Sequence, residues 1–264
     1  MISQQELRGI ARDRNLPLDI VEKDYALGWI LVGLSVSSLK KLLIFKGGTA
    51  LSKIYFPFEW RISEDLDFTL QNKSTTKEIS ELLVEELPKI VSEKSENLAL
   101  RYRRDPYVTE NFLRVRVQYS GPITTNTVKI EVTRENFIGK FNLIQASKHY
   151  DYPKFSISTY TLETILAEKL RAIIERGYIR DYYDSWKLLK DNKVENNQVK
   201  ELFVEKCKGK NVTFTDLNQF FPENIVEILE PYLETGLTRM SSERLPPLSE
   251  WINELKVLLN DLLI

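Results

Sequence analysis

Two carboxylates stand two residues apart in the stretch Asp65-Leu66-Asp67-Phe68-Thr69-Leu70. The strict alternation predicts a half-buried strand, with Leu66, Phe68 and Leu70 inward and Asp65, Asp67 and Thr69 on the other face. Like charges at that spacing repel unless a cation lies between them. Hard divalent ions, Mg2+ or Mn2+ in its place, favour such oxygen donors and also grip substrate phosphates. Upstream, the apolar run Leu42-Leu43-Ile44-Phe45 has the character of a buried strand. It runs into Gly47-Gly48, and a helical pattern follows from Thr49 towards Phe56 until Pro57 stops it. Paired glycines at a strand-to-helix turn let the backbone approach a ligand, and the start of the helix offers N–H groups to an anion. Taken singly, a D-x-D is ordinarily solvated surface and a Gly-Gly is ordinarily a turn. Their succession, strand to Gly-Gly to helix to D-x-D strand, is far more specific. It is the apparatus of metal-assisted phosphoryl or nucleotidyl transfer.

The other elements are read for how they position these groups. Residues 3–14 read as a polar helix, and Pro17 opens a longer one, Leu18 to about Leu34, that contains Val21-Glu22-Lys23-Asp24-Tyr25. Glu22, Lys23 and Asp24 could equally be a solvated face. Lys77 to Val91 is amphipathic. Residues 98–104 and 111–119 alternate and predict a hairpin around Asp105-Pro106-Tyr107. Arg101 and Arg103 would share one strand face and Arg114 and Arg116 another, giving either a basic surface for triphosphate or RNA backbone or an ordinary exposed sheet. In Thr127–Thr133, Val128, Ile130 and Val132 point inward and Lys129, Glu131 and Thr133 outward. Glu131 is the preferred third carboxylate, with Glu135 as competitor beyond the clean alternation. Residues 137–158 look irregular, and His149 has no assigned role.

The second half reads as helical. Thr161 to Arg176 carries an apolar stripe and ends at Gly177. Lys169 falls near the centre of that stripe, with Arg176 two turns on. A lysine there either snorkels out or reaches an anion. We favour phosphate, and its removal would then cost little stability. Asp181 and Asp184 lie one turn apart on the next helix, where one of them could simply cap. The last helix, Ser249 to Leu263, is amphipathic and suited to packing on its own domain.

The motif set resembles the nucleotidyltransferase superfamily of DNA polymerase beta. Gly47-Gly48-Thr49-Ala50-Leu51 with Arg61-Ile62-Ser63-Glu64-Asp65-Leu66-Asp67-Phe68 is similar to its AbiEii branch of toxins, as is Val21-Glu22-Lys23-Asp24-Tyr25. The long spacing from Gly48 to Asp65 also fits that branch better than the aminoglycoside-modifying or CCA-adding enzymes. Glu168-Lys169-Leu170-Arg171-Ala172-Ile173 and Arg180-Asp181-Tyr182-Tyr183-Asp184 resemble the branch's two downstream motifs, so the likeness spans residues 17–190.

The resemblance implies an α+β fold: a polymerase-beta-like nucleotidyltransferase core with a small mixed sheet over residues 1–156, then a helical half over 157–264 that completes a cleft for a nucleoside triphosphate. It implies the toxin of a bacterial toxin–antitoxin or phage-defence (abortive infection) pair. Such enzymes transfer nucleotides from an NTP, in several cases to the 3′ end of tRNA, and so stop translation. Asp65, Asp67 and Glu131 would hold Mg2+. Gly47, Gly48 and Thr49 would cradle phosphates, with Lys53, Arg61, Ser63 and Arg176 also on the NTP. Lys169 would neutralise the departing pyrophosphate, and Asp181 and Asp184 would position Lys169 or the acceptor. Ser63, two residues before Asp65, would share the carboxylate face if the strand continued, and a phosphate there would repel the NTP; alternatively it caps a local turn. An antitoxin would be expected from an adjacent gene. Two other classes stay open: nucleotidylation of a protein or small molecule, and a non-catalytic nucleotide-binding module.

Composition sets bounds. The chain has 264 residues, 42% hydrophobic and 28% charged, enough for one large domain or two modest ones. No run approaches a membrane span of roughly 18 apolar residues, and no signal peptide opens the chain. One cysteine, Cys207, and one histidine leave neither an internal disulfide nor a Cys/His zinc site. The expectation is a soluble cytoplasmic protein with no membrane partner. A net charge of −1 confines any RNA contact to a local patch.

Overall fold

A helix whose apolar residues run all round it must be covered on every side. Such a helix is α2 (Leu18–Val36), in which every residue from Ile20 to Ser35 except Lys23 is buried. The computed structural model describes residues 2–71, 74–146 and 150–263; His149 lies outside them. Within these bounds the chain divides into two compact units, Met1–Glu135 with Asn142–Thr159 and Asn136–Phe141 with Tyr160–Ile264.

The first unit is built on a mixed sheet. Its strands are β1 (Leu43–Lys46), β2 (Asp65–Leu70), β3 (Ala99–Tyr102), β4 (Tyr107–Val108), β5 (Phe112–Ser120), β6 (Thr125–Thr133), β7 (Phe141–Gln145) and β8 (Ser156–Tyr160). The order is β3-β5-β6-β2-β1-β8-β7, with β4 added on β5. The pairs β2/β6 and β1/β8 are parallel, whereas β1/β2 and β5/β6 are antiparallel. Leu66, Phe68, Val115, Val117, Val128, Ile130 and Val132 form the buried face that the alternation predicts. Helix α1 (Gln4–Asp13) and α4 (Thr76–Lys94) pack against α2. Both open on capping boxes, Ser3 with Glu6 and Thr75 with Glu78, which satisfy backbone donors that a helix start leaves unpaired.

Three local features depart from expectation. Residues 137–158 contain two strands, β7 and β8, rather than irregular chain. β7 is an edge strand exposed through much of its length, so it carries no alternation to read. β3 ends at Tyr102, which leaves Arg103 beyond the strand, and the turn region supplies β4 against β5. After β1, α3 (Gly47–Ala50) passes directly into a π-helical turn, Leu51–Tyr55, closed by the Phe56 N–H on the Leu51 carbonyl at 2.8 Å.

The Val21–Tyr25 segment is interior and not a solvated face. Glu22 is fully buried, and its carboxylate accepts from the backbone N–H groups of Ile123 at 2.6 Å and Thr124 at 3.0 Å. It thereby pins α2 to the β5–β6 turn.

The second unit contains α5 (Leu162–Arg176), α6 (Ile179–Lys190), α7 (Asn196–Gly209), the short α8 (Ile225–Leu229) and α9 (Leu233–Gly236), and α10 (Leu248–Leu263). Thr161 caps α5 at its start, and Gly177, at φ 61°, closes it with N–H bonds to the carbonyls of Ala172 and Ile173. α10 packs on α6, with Trp251 and Trp186 5.8 Å apart and Trp186 Nε1 donating to Glu254 at 2.7 Å. Buried Lys206 on α7 donates to the carbonyls of Phe137 at 3.1 Å and Ile138 at 3.2 Å and to Glu168 at 2.9 Å. These bonds tie the segment Asn136–Phe141 into this unit, upstream of the boundary expected after residue 156. Among the described residues no helix is long and apolar enough to cross a membrane.

Candidate active site

The polar face of the first unit's sheet gathers most of the predicted chemistry. Residues opposite one another in a ladder share a face. Lys46 lies opposite Asp67, Asp67 opposite Glu131, and Glu131 opposite Arg114. One row of charge therefore crosses β1, β2, β6 and β5. The next row is Asp65, Lys129 and Arg116. Asp65 and Asp67 are both partly exposed, so they remain open to solvent and ligands.

These acids have counter-ions. Lys129 Nζ lies 2.7 Å from Asp65 Oδ2, and Arg114 Nε lies 2.7 Å from Glu131 Oε1. Glu135, the competing third carboxylate, pairs with Lys46 at 2.9 Å and is almost fully buried. Among the described residues no group of three or more His, Cys, Asp or Glu side chains converges on one metal position. Asp65 and Asp67 fit a hard cation by donor type, common face and exposure. Glu131, on the same face, keeps one oxygen on Arg114 and would offer the other.

The glycine turn is built against this face. Gly47 has φ +77°, and a Cβ there would stand 2.7 Å from Asp67 Oδ2. Only glycine allows the turn and the carboxylate to sit so close. Gly47→Ala is expected to cost about 1–3 kcal/mol of stability and to displace Asp67, lowering transfer by more than its effect on melting explains. Parallel thermal melts and transfer assays check this. Thr49 is fully buried, and its hydroxyl donates to the Asp65 carbonyl, stitching α3 to the start of β2. Its contribution to a phosphate cradle would come from its backbone N–H.

Three residues expected at the NTP are interior. Lys53 is 1% exposed, with Nζ 2.8 Å from Asp24 Oδ1 and 2.6 Å from the Asp24 carbonyl. Burial lowers its pKa, and the Asp24 charge opposes that shift. The Tyr150 hydroxyl donates to Asp24 at 2.9 Å, and the Tyr150 ring lies 5.2 Å from the ammonium. Lys53 is therefore an internal anchor for α2. Arg61 is buried, with a guanidinium nitrogen donating to the Ile62 carbonyl at 3.2 Å. Ser63 is 7% exposed, and β2 begins only at Asp65, so the strand parity that would set its hydroxyl beside the carboxylates does not extend to it.

In the second unit, Lys169, Arg176, Asp181 and Asp184 form one cluster. Lys169 Nζ lies 3.2 Å from Asp181 Oδ1 and 2.6 Å from Asp184 Oδ2, and Arg176 meets Asp181 Oδ2 at 3.0 Å. Lys169 and both aspartates are buried. Neither aspartate caps α6, whose N-cap is Tyr178. The sequence pattern placed these residues on facing helix turns but did not reveal that they neutralise one another. Lys46 and Lys129 were missed as members of the candidate site; the parity of Lys129 with Glu131 was the available signal.

The mixed sheet and the helices match solved structures of nucleotidyltransferases. MenT4, a nucleotidyltransferase toxin from Mycobacterium tuberculosis, superposes with a TM-score of 0.70 at 17% identity, over 98% of this chain and 88% of that one. A putative nucleotidyltransferase from H. pylori gives 0.59 at 19% identity over 94% and 96%. JHP933 from Helicobacter pylori gives 0.58 at 18% identity over 94% and 93%. Comparison with curated proteins yields no match. The sequence pattern of the family described as nucleotidyl transferase AbiEii toxin, type IV toxin–antitoxin system, matches residues 29–253. The chain belongs to that family.

Proposed function

We propose that this toxin transfers a nucleotide from an NTP to an acceptor hydroxyl at the Asp65–Asp67 face, and that the acceptor is the 3′ end of tRNA. The observation that carries the reading is the placement of two partly exposed carboxylates on one face of β2, one of which, Asp67, lies against Gly47, a turn position with φ +77° that disfavours any side chain. Asp65 and Asp67 would hold Mg2+, with Glu131 as a further donor. A bound divalent cation supplies charge neutralisation and a more acidic acceptor hydroxyl. Gly47, Gly48 and Thr49 present backbone N–H groups to phosphate oxygens. Arg116 and Arg101, on the carboxylate face of the sheet, supply cations for an RNA backbone, which supports RNA over a neutral small-molecule acceptor. Lys169, Arg176, Asp181 and Asp184, which the resemblance assigns to the NTP and its departing pyrophosphate, form an ion-pair cluster within the second unit, where Asp181 and Asp184 hold the Lys169 ammonium.

Incubation with each labelled NTP, Mg2+ and total tRNA tests the reading. Label is expected on RNA. Label on protein would favour the alternative acceptor, and no label at all would favour a binding module.

Lys169 makes a separate prediction, because its removal takes the shared cation from two buried carboxylates and leaves Asp181 to its pair with Arg176. Instead of the unchanged stability expected for a lone lysine, Lys169→Met should cost about 3–5 kcal/mol. Lys169→Arg keeps the charge but not the compact ammonium geometry. It should melt closer to the unsubstituted protein than Lys169→Met does. Calorimetry of the two variants checks this.

A further inference from the structure

We propose that Lys129 is the built-in counter-ion of Asp65, and that its displacement makes cation binding at the Asp65–Asp67 face depend on a bound nucleoside triphosphate. The inference rests on the nucleotidyl-transfer reading and adds a residue with a defined task to it. Lys129 Nζ is 2.7 Å from Asp65 Oδ2, so an ammonium already neutralises the carboxylate that a cation would share. Both side chains are partly exposed, at 37% for Lys129 and 24% for Asp65, so the pair can open without unpacking the sheet. The surroundings decide what opening costs. Asp65, Asp67 and Glu131 face Lys129, Arg114 and Arg116 across β2, β6 and β5, Lys46 beside them pairs with Glu135, and Arg101 adds a further cation, so cations already match the carboxylates of this face. A divalent cation arriving alone adds positive charge to a face that carries no excess of negative charge. It also drives the ammonium off Asp65 while Arg116, its neighbour across the ladder, is of like charge.

A triphosphate changes both conditions. Its phosphate oxygens offset the incoming cation and give the released ammonium new acceptors. Cation and nucleotide then strengthen each other's binding, as linkage requires, and Lys129 carries part of that coupling. Lys129 thus acts as a positioning residue: it holds Asp65 in place while no nucleotide is present and turns to phosphate when one arrives. The sequence contains the parity for this, since Lys129 and Glu131 point to the same face, but not the register that sets Lys129 opposite Asp65.

The test is titration of Mn2+ alone into the protein, with free Mn2+ followed by electron paramagnetic resonance. Lys129→Met removes the ammonium and keeps most of the apolar stem. It should bind Mn2+ about tenfold more tightly than the unsubstituted protein, the size expected of a like charge removed at a half-exposed site. Lys129→Arg, which restores a cation, should bind as the unsubstituted protein does. Repeating the titration with a non-hydrolysable NTP analogue should close most of the gap between Lys129→Met and the unsubstituted protein. Equal Mn2+ affinity for these two without nucleotide overturns the inference and leaves the transfer reading standing. Mn2+ binding that is absent throughout, or that survives in Asp65→Asn/Asp67→Asn, overturns the metal assignment beneath it and the inference with it.

Discussion

Asp65→Asn and Asp67→Asn are each expected to abolish growth arrest and to lower nucleotide transfer at least about a hundredfold, the consequence of losing several kcal/mol of charge stabilisation at the reacting centre. The fold should survive both changes. Each side chain is partly exposed on the polar face of β2, and neither contributes to the buried face formed by Leu66 and Phe68. Asp65→Asn also strands Lys129 without its partner, but that ammonium is exposed enough to be hydrated, so the loss should stay within about 1 kcal/mol. Circular dichroism and thermal melting close to those of the unsubstituted protein, alongside lost transfer, are the expected pair of results. An inactive protein that is also unfolded would make these carboxylates structural.

A large effect on stability is expected at Asp24. Its carboxylate neutralises Lys53 in a site where that lysine is 1% exposed. Removing one member of a buried ion pair costs about 3–5 kcal/mol, a large part of the roughly 5–15 kcal/mol that holds a typical domain together. Asp24→Asn should therefore melt far below the unsubstituted protein. Its deficit should also depend on pH. Burial lowers the Lys53 pKa below its value in the unfolded chain, and without the Asp24 charge that lowering deepens. Between the folded and unfolded pKa values the unfolded chain binds the extra proton, so stability rises with pH across that window. The deficit is thus greatest below the folded pKa and shrinks as pH climbs towards that of a free lysine. Asp24→Asn/Lys53→Met, with neither charge, should recover much of the loss, because apolar replacement of a buried pair is often close to neutral. Denaturant melts across pH check all three statements. If Lys53 instead served the NTP, the double variant would be stable but inactive; it is expected to retain transfer.

How much of this was legible in the sequence follows from what each residue depends on. The β2 and β6 faces could be read because one side of each strand is buried, so alternation records the pleat directly. β7 could not, since Leu143 and its neighbours are largely exposed and no burial pattern marks them. Register was hidden as well. Nothing in the order of residues says that Glu131 lies opposite Asp67 or Lys129 opposite Asp65; that is set by how β2 and β6 dock in parallel. Lys53 misled for a related reason. The resemblance put it at the NTP, but its partner, Asp24, is 29 residues upstream on another helix. The Lys169 cluster was half legible, because helical spacing brings Asp181 and Asp184 together on α6 while only packing brings Lys169 between them. Ser63 shows the limit of parity, which holds only within a strand, and β2 starts two residues later.

The most direct measurement is sequencing of tRNA 3′ ends from cells expressing either the unsubstituted toxin or Asp67→Asn. The account predicts untemplated nucleotides on tRNA 3′ ends in the arrested cells and unextended ends with Asp67→Asn. Arrested cells whose tRNA ends are unextended would contradict it.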